Sequence, residues 1–422
     1  MRSLKLLSWM VVAALLLGAA PAFAQDEPPP PAPMDEFFDD GSVHEIRLTI
    51  HSKDWALLKE KFEENIYYAC RFEWRGNVVQ NVGIRSRGRG SRSNVKPGLR
   101  VDFDRFAIDQ EFLGLKSFVL DNLTQDPTMI KERLSMALFR RLGIPAPRVA
   151  HTRLFVNNDY VGLYTIVEPI DKGFLGRSFG RDSDGGVEND GYLFEYDYTR
   201  DYKFEYLGSN LDEYKIFDPK THENRAAAQI WGPVKDMIQA INEAPGATFV
   251  NDVSQYLDLG LFSKHIAIEA FLAEDDGILG YAGLNNFYMY RFENGTRFQF
   301  LPWDKDNTFA SAEFPIMRNV NDNVLSRRTL EVQQFRNRYL DTLLEAALSA
   351  DEPLFDEDGE AISGPGWLER EILREYDQIR SLARSDTFKP YSNDSFEEMH
   401  GKLLEFARNR SAYVRNQVQE IR

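Results

Sequence analysis

Cysteine is nearly absent from this chain. A single Cys70 in 422 residues excludes an internal disulfide and any cysteine-built metal site. Positive charge is also short, with 50 Lys and Arg against 66 Asp and Glu and a net charge of -16. A field of that sign disfavours nucleic acid and anionic lipid as partners. The six histidines show no metal-ligand spacing. Outside the N-terminus no uncharged apolar run approaches the roughly 20 residues of a membrane span, and no internal repeat is visible. Stability must come from a packed core, for which 43% hydrophobic and 13% aromatic residues are sufficient.

The N-terminus is organised differently. Arg2 and Lys5 precede an uncharged apolar stretch over 6–20, and Pro21-Ala22-Phe23-Ala24 follows. A short apolar run after a basic start, closed by an A-x-A site, reads as a secretory leader over 1–24. Export is therefore expected, to the periplasm or the extracellular space, with no integral membrane segment in the mature chain. Loss of Arg2 and Lys5 makes the mature charge two units more negative. Residues 25–42, rich in proline and acid, read as a disordered tether.

Strand-like alternation begins at Val43, and Ser52 opens a short helix. Strands are predicted over 67–74, 78–87 and 99–106, with Gly76, Gly88, Gly90 and Gly98 beside them. Apolar residues recur at helical spacing over 126–142, and a hairpin follows over 150–167 around Asn157-Asn158-Asp159. After Glu168-Pro169 the chain turns mainly helical. An apolar helix over 257–273, a hairpin over 287–301 and further helices from about Thr329 to the C-terminus are predicted, broken by a loop at 351–366. The pattern is α+β in two lobes, a β-rich N-lobe over 43–170 and a mainly helical C-lobe over 171–422.

Chemistry concentrates between Glu274 and Phe309. An apolar helix ends in Asp275-Asp276-Gly277, a loop reaches Asn285-Asn286, and a hairpin delivers Trp303-Asp304-Lys305-Asp306. Phosphoryl transfer requires an Asp to take the acceptor's proton, and an Asn and a further Asp whose oxygens hold magnesium on the nucleotide phosphates. The residues stand in that order. A cluster of solvated or capping acids would look similar, except that Asp304 follows an apolar strand end, where a charge needs partners.

Five segments carry a family resemblance: IRSRGRGS (84–91), VKPGLRVDF (95–103), NNDYVGLYTIVEPID (157–171), DDGILGYAGLNNFYMY (275–290) and LPWDKDNTFA (301–310). In that order they resemble the CotH (spore coat protein H) family of secreted, atypical protein kinase-like enzymes, over about 43–415. The resemblance implies a two-lobed kinase-like fold using ATP with Mg2+ or Mn2+. It makes Asp276 the catalytic acid, with Asp275 the competing choice, and Asn286, Asp304 and Asp306 the metal ligands. Arg85, Arg87, Gly88 and Ser91 would cover the phosphates, and Lys96 would contact them with Glu132 as its partner. Glu168 would lie at the hinge beside the adenine edge, bonding ribose or a nearby arginine. Ala310 stands where the family usually has glycine, a position that would resist positive φ.

The resulting expectation is an exported kinase that transfers the γ-phosphoryl of ATP to Ser, Thr or Tyr of an extracytoplasmic protein. Two alternatives stand beside it. One is a catalytically inactive kinase-like protein that binds partners or assembles an envelope, and the other is a metal-dependent hydrolase, which would need no nucleotide.

Overall fold

The computed structural model describes residues 33–181 and 185–422. The leader and most of the proline-rich segment lie outside them. Seven strands build the N-lobe: β1 (His44–Ile50), β2 (Tyr68–Trp74), β3 (Asn77–Arg87), β4 (Gly98–Asp102), β5 (Ser117–Asp121), β6 (Val149–Val156) and β7 (Asp159–Val167). They close a barrel in the order β1-β2-β3-β4-β5-β7-β6, sealed by parallel pairing of β1 with β6. Alternation drives this closure. In β1 every second residue from His44 to Ile50 is buried, so one face of each strand fills the barrel and the other meets solvent or the second lobe. β5 was not foreseen, because Ser117 to Leu120 are buried without alternation.

Part of the segment expected to be a tether belongs to this barrel. Phe37 ends a short helix, Pro33–Phe37, Phe38 follows it, and both are buried. The Phe37 ring meets Trp74, Phe112 and Phe118 edge-on at 5.0–5.5 Å. Two phenylalanines in an acidic, proline-rich stretch supply the burial that fixes it to the barrel.

The C-lobe carries a four-stranded antiparallel sheet, β8 (Tyr192–Tyr196), β9 (Phe217–Pro219), β10 (Phe287–Arg291) and β11 (Phe298–Pro302), in the order β11-β10-β8-β9. The helix Leu259–Phe271 packs against β11, Gln333–Ala350 packs on that helix and on Asn393–Ile421, and Trp367–Ser385 packs on Asn393–Ile421. Among the described residues no helix is long and apolar enough to cross a membrane.

Two helices tie the lobes together. Lys131–Arg141 begins where the Asp126 carboxylate accepts the N–H groups of Ile130 and Lys131, so the predicted start at 126 is a capping turn. Every residue from Glu132 to Phe139 is buried, and Phe139 packs on His265 of the C-lobe. Trp367–Ser385 runs back onto the barrel, where Arg133 is ion-paired with Glu371 and Glu375 at 2.6 Å.

Candidate active site

The helix Leu259–Phe271 delivers the loop that holds Asp275 and Asp276. Glu269, in its last turn, braces that loop with both oxygens. Oε1 accepts Lys305 Nζ at 2.7 Å and Oε2 accepts the Ile278 N–H at 3.0 Å. Burial alone would raise the Glu269 carboxyl, yet Lys305 and His265 hold it down at about 2. Gly277 is required here, since a Cβ would lie 2.8 Å from that carboxylate. Glu274 accepts the Asp276 N–H at 2.8 Å, and burial pushes its own carboxyl up to about 7.

The two candidate acids part company. Asp275 is ion-paired with Arg318 at 2.9 Å. Asp276 instead accepts the side-chain amides of Asn285 and Asn286, one on each oxygen, both at 3.1 Å. Burial raises Asp276 above the ordinary carboxylate range against those two hydrogen bonds.

Asn286 and Asp304 flank the open end of one hairpin. The β10–β11 register pairs Phe287 with Pro302, and one step further the Trp303 N–H donates to Asn286 O at 3.3 Å. Both chains then leave the sheet through left-handed backbone, Asn286 at φ 55° and Asp304 at φ 52°. Asn and Asp tolerate that region better than other side-chain-bearing residues. Burial, then the charge of Asp121, pushes Asp304 up to about 6 against the opposing pull of Arg87. Asp306 accepts Asn307 Nδ2 at 3.0 Å and is raised well above its usual value by burial and by Asp304. The strain anticipated at Ala310 does not arise, because the positive φ of this loop falls on Phe309, at 60°.

Oxygen donors of this kind suit magnesium or manganese. Among the described residues no three carboxylate, imidazole or thiolate groups form a ready cage, which fits an ion held by one or two protein oxygens together with substrate phosphates. Asn286 and Asp304, leaving adjacent strand ends, could hold such an ion, with Asp306 two residues beyond.

From the N-lobe the glycine-rich turn between β3 and β4 leans over this hairpin. Gly88 has φ 104°, and a Cβ there would meet Ser91 Oγ at 2.4 Å. Arg87 is ion-paired with Asp121 at 3.6 Å and lies over the Trp303 ring at 5.8 Å. Arg89 reaches Asp197 across the cleft at 2.9 Å. Arg85 bonds Asn65 and the Ser86 carbonyl instead.

Two sequence expectations need correction. Lys96 is sealed inside, donating to Asp386 Oδ2 and to Leu163 O at 2.7 Å each, so its ammonium has no free donor face toward the cleft. Glu132 is consequently not its partner. Burial, then Asp121 and Asp304, raises Glu132 well above its usual value, with Arg87 opposing, which places it beside the acidic cluster. Glu168 takes the second of its two expected partners: it is buried and bonds Arg148 at 2.8 Å and Arg177 at 2.7 Å. It is an arginine clamp at the lobe junction, and its oxygens are occupied there rather than free for ribose.

Residues 84–414 match the family described as CotH kinase protein. The chain belongs to that family. Inner spore coat protein H of Bacillus subtilis (strain 168) is 24% identical over 379 residues, covering 88% of this chain and 96% of that protein. Invasin CotH3 of Rhizopus delemar is 26% identical over 237 residues, 55% of this chain and 37% of its own length. Among solved structures, the Helicobacter pylori proinflammatory kinase CtkA aligns with 74% of this chain and 94% of its own at 11% identity. Its TM-score of 0.28 is too low for any role to be transferred.

Within this CotH kinase-like protein, Lys305, Glu269, Glu274 and Asp121 are site residues that sequence reasoning passed over. Lys305 sat inside the W-D-x-D signature as the variable position. Its signal was available, since a lysine between two aspartates after an apolar strand must find buried carboxylates. Asp121 gave none, because the strand that ends in it was itself unrecognised.

Proposed function

We propose that this CotH family member is an exported protein kinase that transfers the γ-phosphoryl of ATP to a Ser, Thr or Tyr hydroxyl of an extracytoplasmic protein. The observation that carries the reading is the Asp276 carboxylate, held between Asn285 and Asn286 on the loop that faces the Asn286 and Asp304 end of the hairpin. Asp276 accepts the acceptor's proton while orienting its oxygen. A base raised by burial performs that task better than an ordinary surface carboxylate. Magnesium or manganese, when bound with ATP, supplies charge neutralisation at the transferring phosphate, and Asn286 with Asp304 would hold it. Arg87 and the backbone of the Gly88 turn grip phosphate oxygens from above. No covalent intermediate on the protein is needed.

An extracytoplasmic setting is supported by the leader-like N-terminus and by similarity to a protein named for the inner spore coat. The acceptor would then be another exported protein of the same compartment.

The test incubates residues 25–422 with γ-labelled ATP and Mg2+ or Mn2+, beside Asp304→Ala, following label on the protein and on a generic acceptor. Label that requires both metal and Asp304 is expected. Transfer by a folded Asp304→Ala variant would defeat the mechanism. Nucleotide binding without transfer would favour a binding or assembly role on the same scaffold, and phosphoester or polysaccharide cleavage without nucleotide would favour a hydrolase.

A further inference from the structure

The phosphotransfer reading leaves one question open: what aims the cation of the cleft. Of the basic residues offered by the glycine-rich turn and its flanks, Lys96 is sealed against Asp386, Arg85 is turned to Asn65, and Arg89 is spent on Asp197. Arg87 alone of these four is set among Asp121, Asp304, Tyr288 and Glu195. Its guanidinium is fixed by a neighbour that nothing in the sequence marks.

Arg87 is the last residue of β3 and pairs with Gly98, the first of β4. β4 in turn pairs with β5 in the register Leu99↔Leu120, so Gly98 lies between Arg87 and Asp121. One intervening strand, β4, separates residues that would not ordinarily touch. Gly98 holds the middle position, and Arg87 reaches past it to Asp121 Oδ2 at 3.6 Å. The other oxygen, Oδ1, accepts the Leu123 N–H at 2.8 Å, which fixes the carboxylate plane. Trp303, directly before Asp304, offers its ring to the same guanidinium.

We propose that Asp121 is the positioning residue for Arg87, holding its guanidinium over the Asp304 loop so that the remaining N–H groups meet nucleotide phosphates. This rests on the phosphotransfer reading and deepens it. In protein kinases the corresponding strand lysine is aimed by a glutamate on a helix, so moving the helix switches the enzyme. Here cation and carboxylate belong to the same barrel sheet. The ion pair itself uses no residue of Lys131–Arg141, although Glu132 of that helix lies beside the same cluster. The Arg87–Asp121 half of the phosphate grip is therefore assembled within the sheet itself.

The experiment measures ATP affinity with Mg2+ by calorimetry on residues 25–422 for wild type, Arg87→Ala, Asp121→Asn, Asp121→Ala and the Arg87→Ala/Asp121→Ala double variant. Adenosine, which lacks phosphates, is the control ligand. Each single variant should lose about tenfold or more in ATP affinity, the scale of one charge-assisted bond. Adenosine binding should stay unchanged, and the double variant should be no weaker than Arg87→Ala alone, because the second residue acts only through the first. Additive losses, or Asp121→Asn binding ATP as wild type does, would overturn the proposal. A parallel loss of adenosine binding would assign Asp121 a merely structural role and overturn it too. Should Asp121→Ala fail to fold, the near-isosteric Asp121→Asn decides. Wild type that binds no nucleotide would overturn the phosphotransfer reading itself, an outcome visible before any variant is compared.

Discussion

Lys96 Nζ lies 2.7 Å from Asp386 Oδ2, with both side chains buried. Asp386 caps the helix Trp367–Ser385, so this pair fastens the C-terminal helices to the barrel. The same carboxylate oxygen accepts the Leu163 N–H at 3.0 Å. Gly162 makes room for it, since a Cβ there would meet that oxygen at 2.5 Å. Lys96 and Gly162 thus form a socket for Asp386, and two residues of the family signature serve lobe docking.

Removing one member of a buried pair leaves the other charge uncompensated, which costs about 3–5 kcal/mol. Lys96→Ala and Asp386→Ala should each lose stability on that scale in urea unfolding. Lys96→Met combined with Asp386→Asn should recover part of it, because no net charge is then stranded. Equal stability of Lys96→Ala and wild type would return Lys96 to the cleft.

The elements with strong periodicity were legible in the sequence. β1, the hairpin β6–β7, the helix Leu259–Phe271 and the hairpin β10–β11 all fall within a few residues of their expected positions. So did the contiguous motif residues, because Asp276, Asn286 and Asp304 sit where a helix or strand ends and the chain must turn. Partnerships across the fold were not legible. Lys96 and Asp386 are 290 residues apart, and nothing local to either distinguishes a phosphate ligand from a docking lysine. Arg87 and Asp121 become neighbours only through the β3–β4–β5 register.

Arg410 makes a second long-range connection. Fully buried on the C-terminal helix, it donates to the carbonyls of Ala270 and Phe271 at the end of the helix Leu259–Phe271, and to those of Ala312 and Phe314 beyond the Asp304 loop. Four carbonyls at 2.6–2.9 Å satisfy the guanidinium without any carboxylate. Arg410→Met removes every donor and leaves those carbonyls without a partner, at about 1–3 kcal/mol for each one that stays dry. Expected is a loss of at least about 3 kcal/mol in chemical unfolding. Arg410→Lys should rescue it only partly, since an ammonium has three donors on one atom and cannot span two segments. Full rescue by lysine would mean that charge alone, without the fork, is what the site needs.

Glu274 gives a pH signature. Its carboxyl holds a proton to about pH 7 in the folded chain, against an ordinary value of 4.5. Between those two values the native state binds more proton than the unfolded state. Its contribution to stability is therefore full below about pH 4.5 and is lost as pH rises through 7. Glu274→Gln keeps the shape and abolishes the exchange. The stability difference between wild type and this variant should change by about 3 kcal/mol across that window, favouring wild type at the acid end. Urea midpoints at half-unit pH steps measure it, and parallel curves would show that Glu274 is ionised throughout.

Asp275 and Asp276 are adjacent in sequence yet held in opposite settings, and kinetics should separate them. Asp276 faces two asparagine amides, one of them from Asn286, the proposed metal ligand, whereas Asp275 is paired with Arg318 at the rim. Asp276→Asn keeps the size of the side chain but removes the oxygen that takes the acceptor's proton. Its kcat should fall by about 10²–10⁴-fold, the usual contribution of a positioned base, with ATP affinity little changed. Asp275→Asn breaks a partly exposed ion pair worth about 1 kcal/mol or less, so its kcat should stay within about fivefold of wild type. Steady-state transfer to a generic acceptor, with ATP affinity measured separately, decides between them. A collapse of kcat in Asp275→Asn with Asp276→Asn active would exchange the two roles, and would require the loop to turn over so that Asp275, not Asp276, meets Asn286.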